Sequence, residues 1–212
     1  MSSFRQSELA GRAAGLPVPT GGWTRTLAGA VLALCALFGA ALAGGGGPTG
    51  SADGVDEYAL KAAFLSKFVK FVTWPGERLG DKDALVLGVF GQDPFGKRLE
   101  EIFEKRKEDE RRVVIKRLIR LEELASVHVL FVPEREITRL KEILAAVSEA
   151  SVLVVGESTD FAARGGAINF YTEAEKIRFE INPEAAKRHR LKISSDLLRL
   201  ARIVKEKEAA KE

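Results

Sequence analysis

Four short apolar runs of strand length alternate with helical segments, and this alternation constrains the fold more than any other feature of the chain. The helical segments, residues 94–107 and 134–150, carry apolar side chains at helical spacing. Strands connected through helices run parallel, and helices then cover both faces of their sheet. The predicted strands are residues 84–91, 113–118, 127–132 and 151–156.

The pattern changes after the fourth strand. Residues 167–171 and 176–182 alternate apolar and polar side chains around a short polar turn, which predicts an antiparallel hairpin. Its apolar side chains predict a buried face, and Asn169, Arg178 and Glu180 are then expected on an outer face. The sequence therefore predicts a single three-layer α/β domain, in which helices flank a largely parallel sheet with a C-terminal antiparallel hairpin.

Residues 56–75, before the first strand, carry a broad apolar arc at helical spacing. Asp53 or Asp56 can cap the start of this predicted helix, and Pro75 ends it because a proline disfavours helical geometry in the residue before it. Two interpretations of the rings stay open: they are buried in the core, or part of the arc is exposed and receives a partner. The aromatic residues are Phe64, Phe68, Phe71 and Trp74.

The N-terminal segment has the features of a secretory signal peptide. Arg25 precedes an uncharged run at residues 26–43, and this run ends in the small-x-small pattern that signal peptidase accepts. An uncleaved membrane anchor is the alternative, although the run is at the short limit for a span. The sequence predicts a signal peptide at 1–43, a flexible linker at 44–54, an α/β domain at 55–205 and a charged tail at 206–212.

Removal of the predicted signal peptide changes the charge and the cysteine content. It leaves 30 basic and 29 acidic side chains, so the electrostatic basis for nucleic-acid binding is lost. Cys35, the single cysteine, lies within the removed segment. The exported chain is therefore expected to have neither a disulfide nor a thiol nucleophile.

The loops after the predicted parallel strands are the places where an open α/β sheet binds ligands. They contain Asp93, Glu134 and Ser158, which are candidate ligand-binding residues, although helix capping is the simpler explanation of Asp93 and Ser158. No dinucleotide-binding or Walker-type motif is present, and His128 and His189 have no second ligand at metal spacing. The sequence thus predicts no catalytic residues, no metal site and no cofactor. A hydrolase with an unrecognised centre is a further alternative.

Three stretches resemble the YfiR family of small bacterial periplasmic proteins. The first is FLSKFVKFVTWP at residues 64–75, and the second runs from GES at 156–158 to GGAINF at 165–170. The third joins FEIN at 179–182 to LKISSDLL at 191–198. The resemblance implies a non-enzymatic periplasmic protein that represses an inner-membrane diguanylate cyclase by binding its periplasmic part, which lowers cyclic-di-GMP and biofilm formation.

The same resemblance implies that an outer-membrane lipoprotein sequesters the repressor and so ends repression of the cyclase. A homodimer is possible, and nucleic acid is not an expected partner. Relatives can carry disulfides whose oxidation state regulates them. Such regulation is not expected here, because the exported chain would contain no cysteine. A small-molecule sensor or an adaptor domain for a membrane kinase is the alternative function.

Two surfaces are candidates for the partner: the edge of the first helix and the outer face of the hairpin. Their residues are Lys67, Lys70, Phe71 and Trp74, and Asn169, Arg178 and Glu180.

Overall fold

The computed structural model describes residues 56–80, 83–105 and 111–207. The predicted signal peptide, the predicted linker and residues 208–212 of the predicted tail lie outside the described residues. Within the described ranges, no helix is long and apolar enough to cross a membrane. The predicted domain boundaries at 55 and 205 stay a prediction.

The first helix, α1, spans Glu57–Phe71. The Asp56 carboxylate accepts a hydrogen bond from the Ala59 backbone N–H at 3.3 Å, so Asp56, one of the two predicted caps, caps the start of the helix. The helix ends four residues before Pro75, earlier than expected. The reason is tertiary: β1 (Val72–Thr73) leaves the helical conformation and pairs with β8 (Lys192–Ile193) as a small antiparallel sheet.

The main sheet has seven strands in the described part of the chain, in the order β3-β2-β4-β5-β6-β7-β9. All its neighbouring pairs are parallel except β6–β7, which is the predicted antiparallel hairpin. The predicted fold class is therefore confirmed. The strands are β2 (Leu85–Phe90), β3 (Val113–Leu118), β4 (Val129–Val132), β5 (Leu153–Gly156), β6 (Ile168–Glu173), β7 (Lys176–Ile181) and β9 (Arg202–Ile203).

The predicted helices at residues 94–107 and 134–150 are both shorter in the structure. The predicted helix 134–150 is a 3-10 helix at Glu134–Arg139 followed by α3 at Leu140–Ala146. The other helices are α2 (Arg98–Glu104), a 3-10 turn at Leu121–Ser126, α4 (Pro183–Arg188) and α5 (Ser195–Leu200).

Helices cover both faces of the sheet and form two apolar cores. The first core lies under α1, α2, α4 and α5, and the second lies under α3 and the Leu121–Ser126 turn. Side chains of a strand alternate between faces, so Leu87 and Val89 enter the first core whereas Val86 and Phe90 pack against the second. These two cores define the three layers of the domain.

The rings of α1 are largely core. Phe68 is fully buried, and its ring centroid lies 5.1 Å from that of Phe179 and 5.6 Å from that of Phe170. Phe64 adds contacts to both hairpin rings at 5.5 and 6.0 Å. Burial of each large ring stabilises the fold by about 1.5–3 kcal/mol. This aromatic cluster joins α1 to the hairpin.

Candidate functional site

A buried ionic cluster occupies the carboxyl end of the parallel sheet, where β5 ends. Glu157 follows β5 directly, and its carboxylate accepts a hydrogen bond from the Lys61 ammonium of α1 at 2.5 Å. Lys61 also pairs with Glu57 one helical turn earlier. The Tyr58 hydroxyl donates to Glu157 at 3.3 Å, and the Lys61 ammonium lies 4.7 Å from the centre of the Tyr58 ring. These four residues form what we call the Lys61 cluster.

The central pair of the cluster is shielded from water: the side chains of Lys61 and Glu157 are 5% and 6% exposed, whereas that of Glu57 is 50% exposed. Burial by itself lowers the pKa of Lys61, but hydrogen bonds to Glu157 and Glu57 outweigh it and raise that pKa above its usual 10.5. Burial, with the Glu157 charge, raises the pKa of Tyr58, so its phenol stays protonated and able to donate. The Lys61 ammonium is thus charged and already bonded by two carboxylates. The arrangement is suited to holding α1 against the sheet.

Two of the three predicted ligand-binding loops meet at this cluster. The Glu134 backbone N–H donates to the Glu157 carboxylate at 3.2 Å, whereas the Glu134 side chain is exposed. Ser158 is buried, and its Oγ has no hydrogen-bond partner among the described residues. The structure therefore brings the Glu134 and Ser158 loops together through Glu157.

Asp93 belongs to a different cluster. One of its carboxylate oxygens accepts from the Phe95 backbone N–H at 2.7 Å, and the other pairs with the Arg117 guanidinium at 2.8 Å. Arg117 also pairs with Glu100 of α2, which lowers the pKa of Glu100. Asp93 does cap a backbone N–H, as the sequence suggested, but at a turn before α2, because α2 begins only at Arg98.

The expected edge of the first helix is only partly a surface. Lys67 and Lys70 are exposed and Phe71 is half-buried. Trp74, however, is buried, and its indole N–H donates to the His128 backbone carbonyl at 3.1 Å. The expectation that Trp74 lies on an exposed edge is wrong, because the chain turns into β1 and carries the ring into the first core.

The expected outer face of the hairpin is also mostly covered. Asn169 and Glu180 are buried, and the Asn169 amide donates to the Glu180 carboxylate at 3.1 Å. The expected exposure of both is wrong because β9 pairs with β7 and brings Arg202 onto Glu180, with Nε donating at 3.0 Å. Arg178 is exposed and pairs with Glu173 at 2.7 Å.

The two histidines have structural partners. His128 Nδ1 accepts a hydrogen bond from the Val86 backbone N–H at 2.9 Å, which fixes the tautomer, and Nε2 lies 3.2 Å from the Arg78 carbonyl. Burial lowers the pKa of His128. His189 Nδ1 lies 2.9 Å from the Ala150 carbonyl. In the described residues, no group of three or more His, Cys, Asp and Glu side chains is placed to hold a metal ion.

Open clefts of about 330 Å³ lie elsewhere, around the end of α4. Both are lined by Ser148, Arg188 and His189, away from the three predicted loops. Arg188 pairs with Glu206 at 2.5 Å. The first cleft is lined mainly by polar groups, whereas the second also has an apolar lining and contains the Arg188–Glu206 ion pair.

The sequence patterns did not predict Tyr58, Lys61 or Glu157 as site residues. One signal was available: Lys61 is a charged residue next to the apolar arc of α1, and Glu157 follows a fully apolar strand. A buried charge requires a partner of opposite charge, which makes such a pair a reasonable expectation. The two residues are 96 positions apart, so the pairing itself is visible only in the folded chain.

The structure is thus a three-layer α/β domain. The charged side chains of the Lys61 cluster, at the carboxyl end of the sheet, pair with one another and join α1 to the loop after β5. The chain belongs to the YfiR/HmsC-like family (DUF4154), whose sequence profile matches residues 58–202. This match covers more than half of the chain and includes both cores. None of the curated proteins compared with the chain is significantly similar to it.

Solved structures include two similar chains, each with 12% sequence identity and a TM-score of 0.49. One is the ABC domain in complex with L-Trp from Streptococcus pneumonia, for which the similarity covers 68% of this chain and 60% of that chain. The other is a conserved domain protein from Vibrio cholerae O1 biovar El Tor, with coverages of 73% and 62%. The chain thus spans about three fifths of each of these proteins.

Proposed function

We propose that this protein is an exported, non-enzymatic regulator that represses an inner-membrane diguanylate cyclase by binding its periplasmic part, and so lowers cyclic-di-GMP. The observation that carries the proposal is the YfiR/HmsC-like match over residues 58–202, since this range contains the entire sheet except for the last residue of β9. An outer-membrane lipoprotein that sequesters the repressor would reverse the effect.

The repressor acts by differential binding. A protein that binds one conformation of the cyclase more tightly than the other shifts the population towards the bound conformation. The shift is limited by the difference between the two affinities, and a change from mostly active to mostly inactive needs a difference of about 10⁴-fold. Repression therefore requires a specific surface on each protein.

We place the cyclase contact on the exposed side of α1, near its C-terminal end. Lys67 and Lys70 offer positive charge there, and Phe71 offers a half-buried ring that already packs against the first core. Trp74 is buried in the first core and is not part of this surface. Arg178 lies on the other face of the hairpin, because the neighbouring Phe179 points towards α1. Arg178 would contribute to a separate surface there, without Asn169 and Glu180, which are buried.

The test is repression in the bacterium that makes the protein. Deletion of the gene should raise cyclic-di-GMP, and the wild-type gene should restore the low level. The double variant Lys67→Glu and Phe71→Glu should fail to restore it while the purified protein keeps the wild-type circular dichroism spectrum. Lys205→Glu, a charge reversal at an exposed lysine outside α1, is the control and should repress normally. An unchanged cyclic-di-GMP level after deletion would refute the proposal.

One observation favours a second candidate, a small-molecule sensor or an adaptor domain for a membrane kinase. The Ser158 Oγ is buried without a hydrogen-bond partner among the described residues, at the end of β5. Open parallel sheets bind ligands at this end. A metabolite that binds the native state raises the melting temperature, so a thermal-shift screen of the purified protein tests this candidate. Ser158→Ala should abolish any such shift.

A further inference from the structure

The strand β3 forms one edge of the seven-stranded sheet. It pairs with β2 over six consecutive positions, from Leu85 opposite Val113 to Phe90 opposite Leu118. No described strand pairs with its other side. Its outer edge is therefore a row of peptide groups available to another chain.

The hydrogen bonds at both ends of β3 show which peptide groups face outwards. The Leu85 N–H donates to the Arg112 carbonyl at 2.9 Å, and the Gly91 N–H donates to the Leu118 carbonyl at 2.7 Å. Peptide groups alternate in direction along a strand, so the even-numbered residues face β2. The N–H and C=O groups of Val113, Ile115 and Arg117 consequently point away from the sheet.

The first three side chains of β3 are apolar, and Lys116 and Arg117 after them are exposed. Val113 and Ile115 pack against the first core, while Val114 lies on the opposite face, and all three are half-buried. The strand has no proline, glycine or bulge that would block pairing. Ile119, directly after the strand, is 74% exposed. An added strand would cover the exposed part of this apolar surface on both faces of the sheet.

The charge of this edge determines which chain can be added. Residues 111–120 contain five basic side chains and no acidic one. Arg117 and Arg120 pair with acidic residues, but Arg112 and Lys116 are exposed and have no ion pair with any described residue. A second copy of the same edge would place like charges opposite one another, which is destabilising. An acidic segment would be attracted to the edge instead.

We propose that the outer edge of β3 binds an extended acidic segment of a protein partner as an additional strand of the sheet. Main-chain hydrogen bonds to Val113, Ile115 and Arg117 provide the affinity, and Arg112 and Lys116 select for acidic side chains. The inference rests on the proposed function only in taking the partner to be a protein, and it concerns a surface different from that of α1.

The experiment uses the exported protein and a synthetic hexapeptide, acetyl-Val-Asp-Val-Glu-Val-Asp-amide. Amide hydrogen exchange is followed by NMR, and the amides of Val113, Ile115 and Arg117 should slow by at least about tenfold at saturation, since each gains a hydrogen bond. The amide of Val114, already directed at β2, serves as the internal control. A peptide with Lys in place of the acidic residues, and one with Pro in place of the central Val, should have no effect.

Variants then test the charges. The double variant Arg112→Glu and Lys116→Glu should weaken peptide binding by about tenfold or more, while Lys205→Glu should leave it unchanged. Unslowed exchange at Val113 and Ile115 in the wild-type protein overturns the proposal, as does equal binding of the basic peptide. Because this test contains no cyclase, its failure is distinguishable from failure of the repression test.

Discussion

The Lys61–Glu157 pair is the contact whose removal should be most informative. Lys61→Met keeps most of the side-chain volume but leaves the Glu157 carboxylate buried without its ammonium partner. Removal of one member of a buried ion pair costs about 3–5 kcal/mol, because the remaining charge is not compensated. Tyr58 and the Glu134 N–H still donate to Glu157, so the lower half of that range is expected.

Urea unfolding of the purified protein, followed by circular dichroism, measures the free energy of unfolding. In a domain of this size the expected loss corresponds to a decrease in melting temperature of roughly 6–16 °C. Lys67→Met, at an exposed position of the same helix, is the matched control and should change the free energy of unfolding by less than about 0.5 kcal/mol.

The double variant Lys61→Met and Glu157→Leu completes the thermodynamic cycle. With both charges removed it should be more stable than Lys61→Met alone, because apolar residues of similar volume often replace a buried ion pair at little cost. The coupling free energy between the two residues is expected to be about 2–3 kcal/mol. A loss below about 1 kcal/mol for Lys61→Met, or strictly additive effects, would refute the argument, since the pair would then behave like an exposed one.

Three further predictions concern other parts of the domain. Burial keeps the folded pKa of His128 below its unfolded value of 6.5, so the free energy of unfolding should decrease as pH falls through 6.5 and level off below the folded pKa. His128→Asn, which keeps an acceptor for the Val86 N–H, should reduce this pH dependence in urea titrations between pH 5 and 7.5. Ala174 and Glu175 have φ angles of 48° and 60° in the hairpin turn, so replacement by Asn-Gly should stabilise the protein by about 1–2 kcal/mol; an unchanged urea midpoint would contradict the assigned turn. Phe68→Ala should cost about 3–5 kcal/mol in the same assay, and a loss under 1 kcal/mol would show that the aromatic cluster is not core.

The β-strands were the best predicted elements, for a physical reason. Strands covered on both faces need apolar residues at nearly every position, and such runs are visible without knowledge of neighbours. The predicted strand 113–118 has the observed bounds, and those at 84–91 and 151–156 differ by one or two residues. In contrast, β9 has two residues, Arg202 and Ile203, and both are exposed. It is a strand only because β7 is beside it.

The candidate surfaces show the same limit. Alternation in the hairpin predicted a buried face, and Phe170 and Phe179 on that face do lie in the first core. It also placed Glu180 on the opposite face, but alternation does not reveal whether that face meets water. Arg202 covers it, 22 residues later in the chain. Trp74 was misplaced for a related reason, since its burial depends on the pairing of β1 with β8.

The amino-acid sequence by itself determined the strand-and-helix order, the parallel sheet with its terminal hairpin, and the family likeness, because each of these depends on periodicity or on motifs that are local in the chain. Tertiary structure decided which polar residues are buried and which surfaces remain open. Lys61 meets Glu157 across 96 residues, and β3 is an edge because no other described strand is placed beside it. Burial and edge position are properties of neighbours in space, and residues far apart in the chain become such neighbours only when it folds.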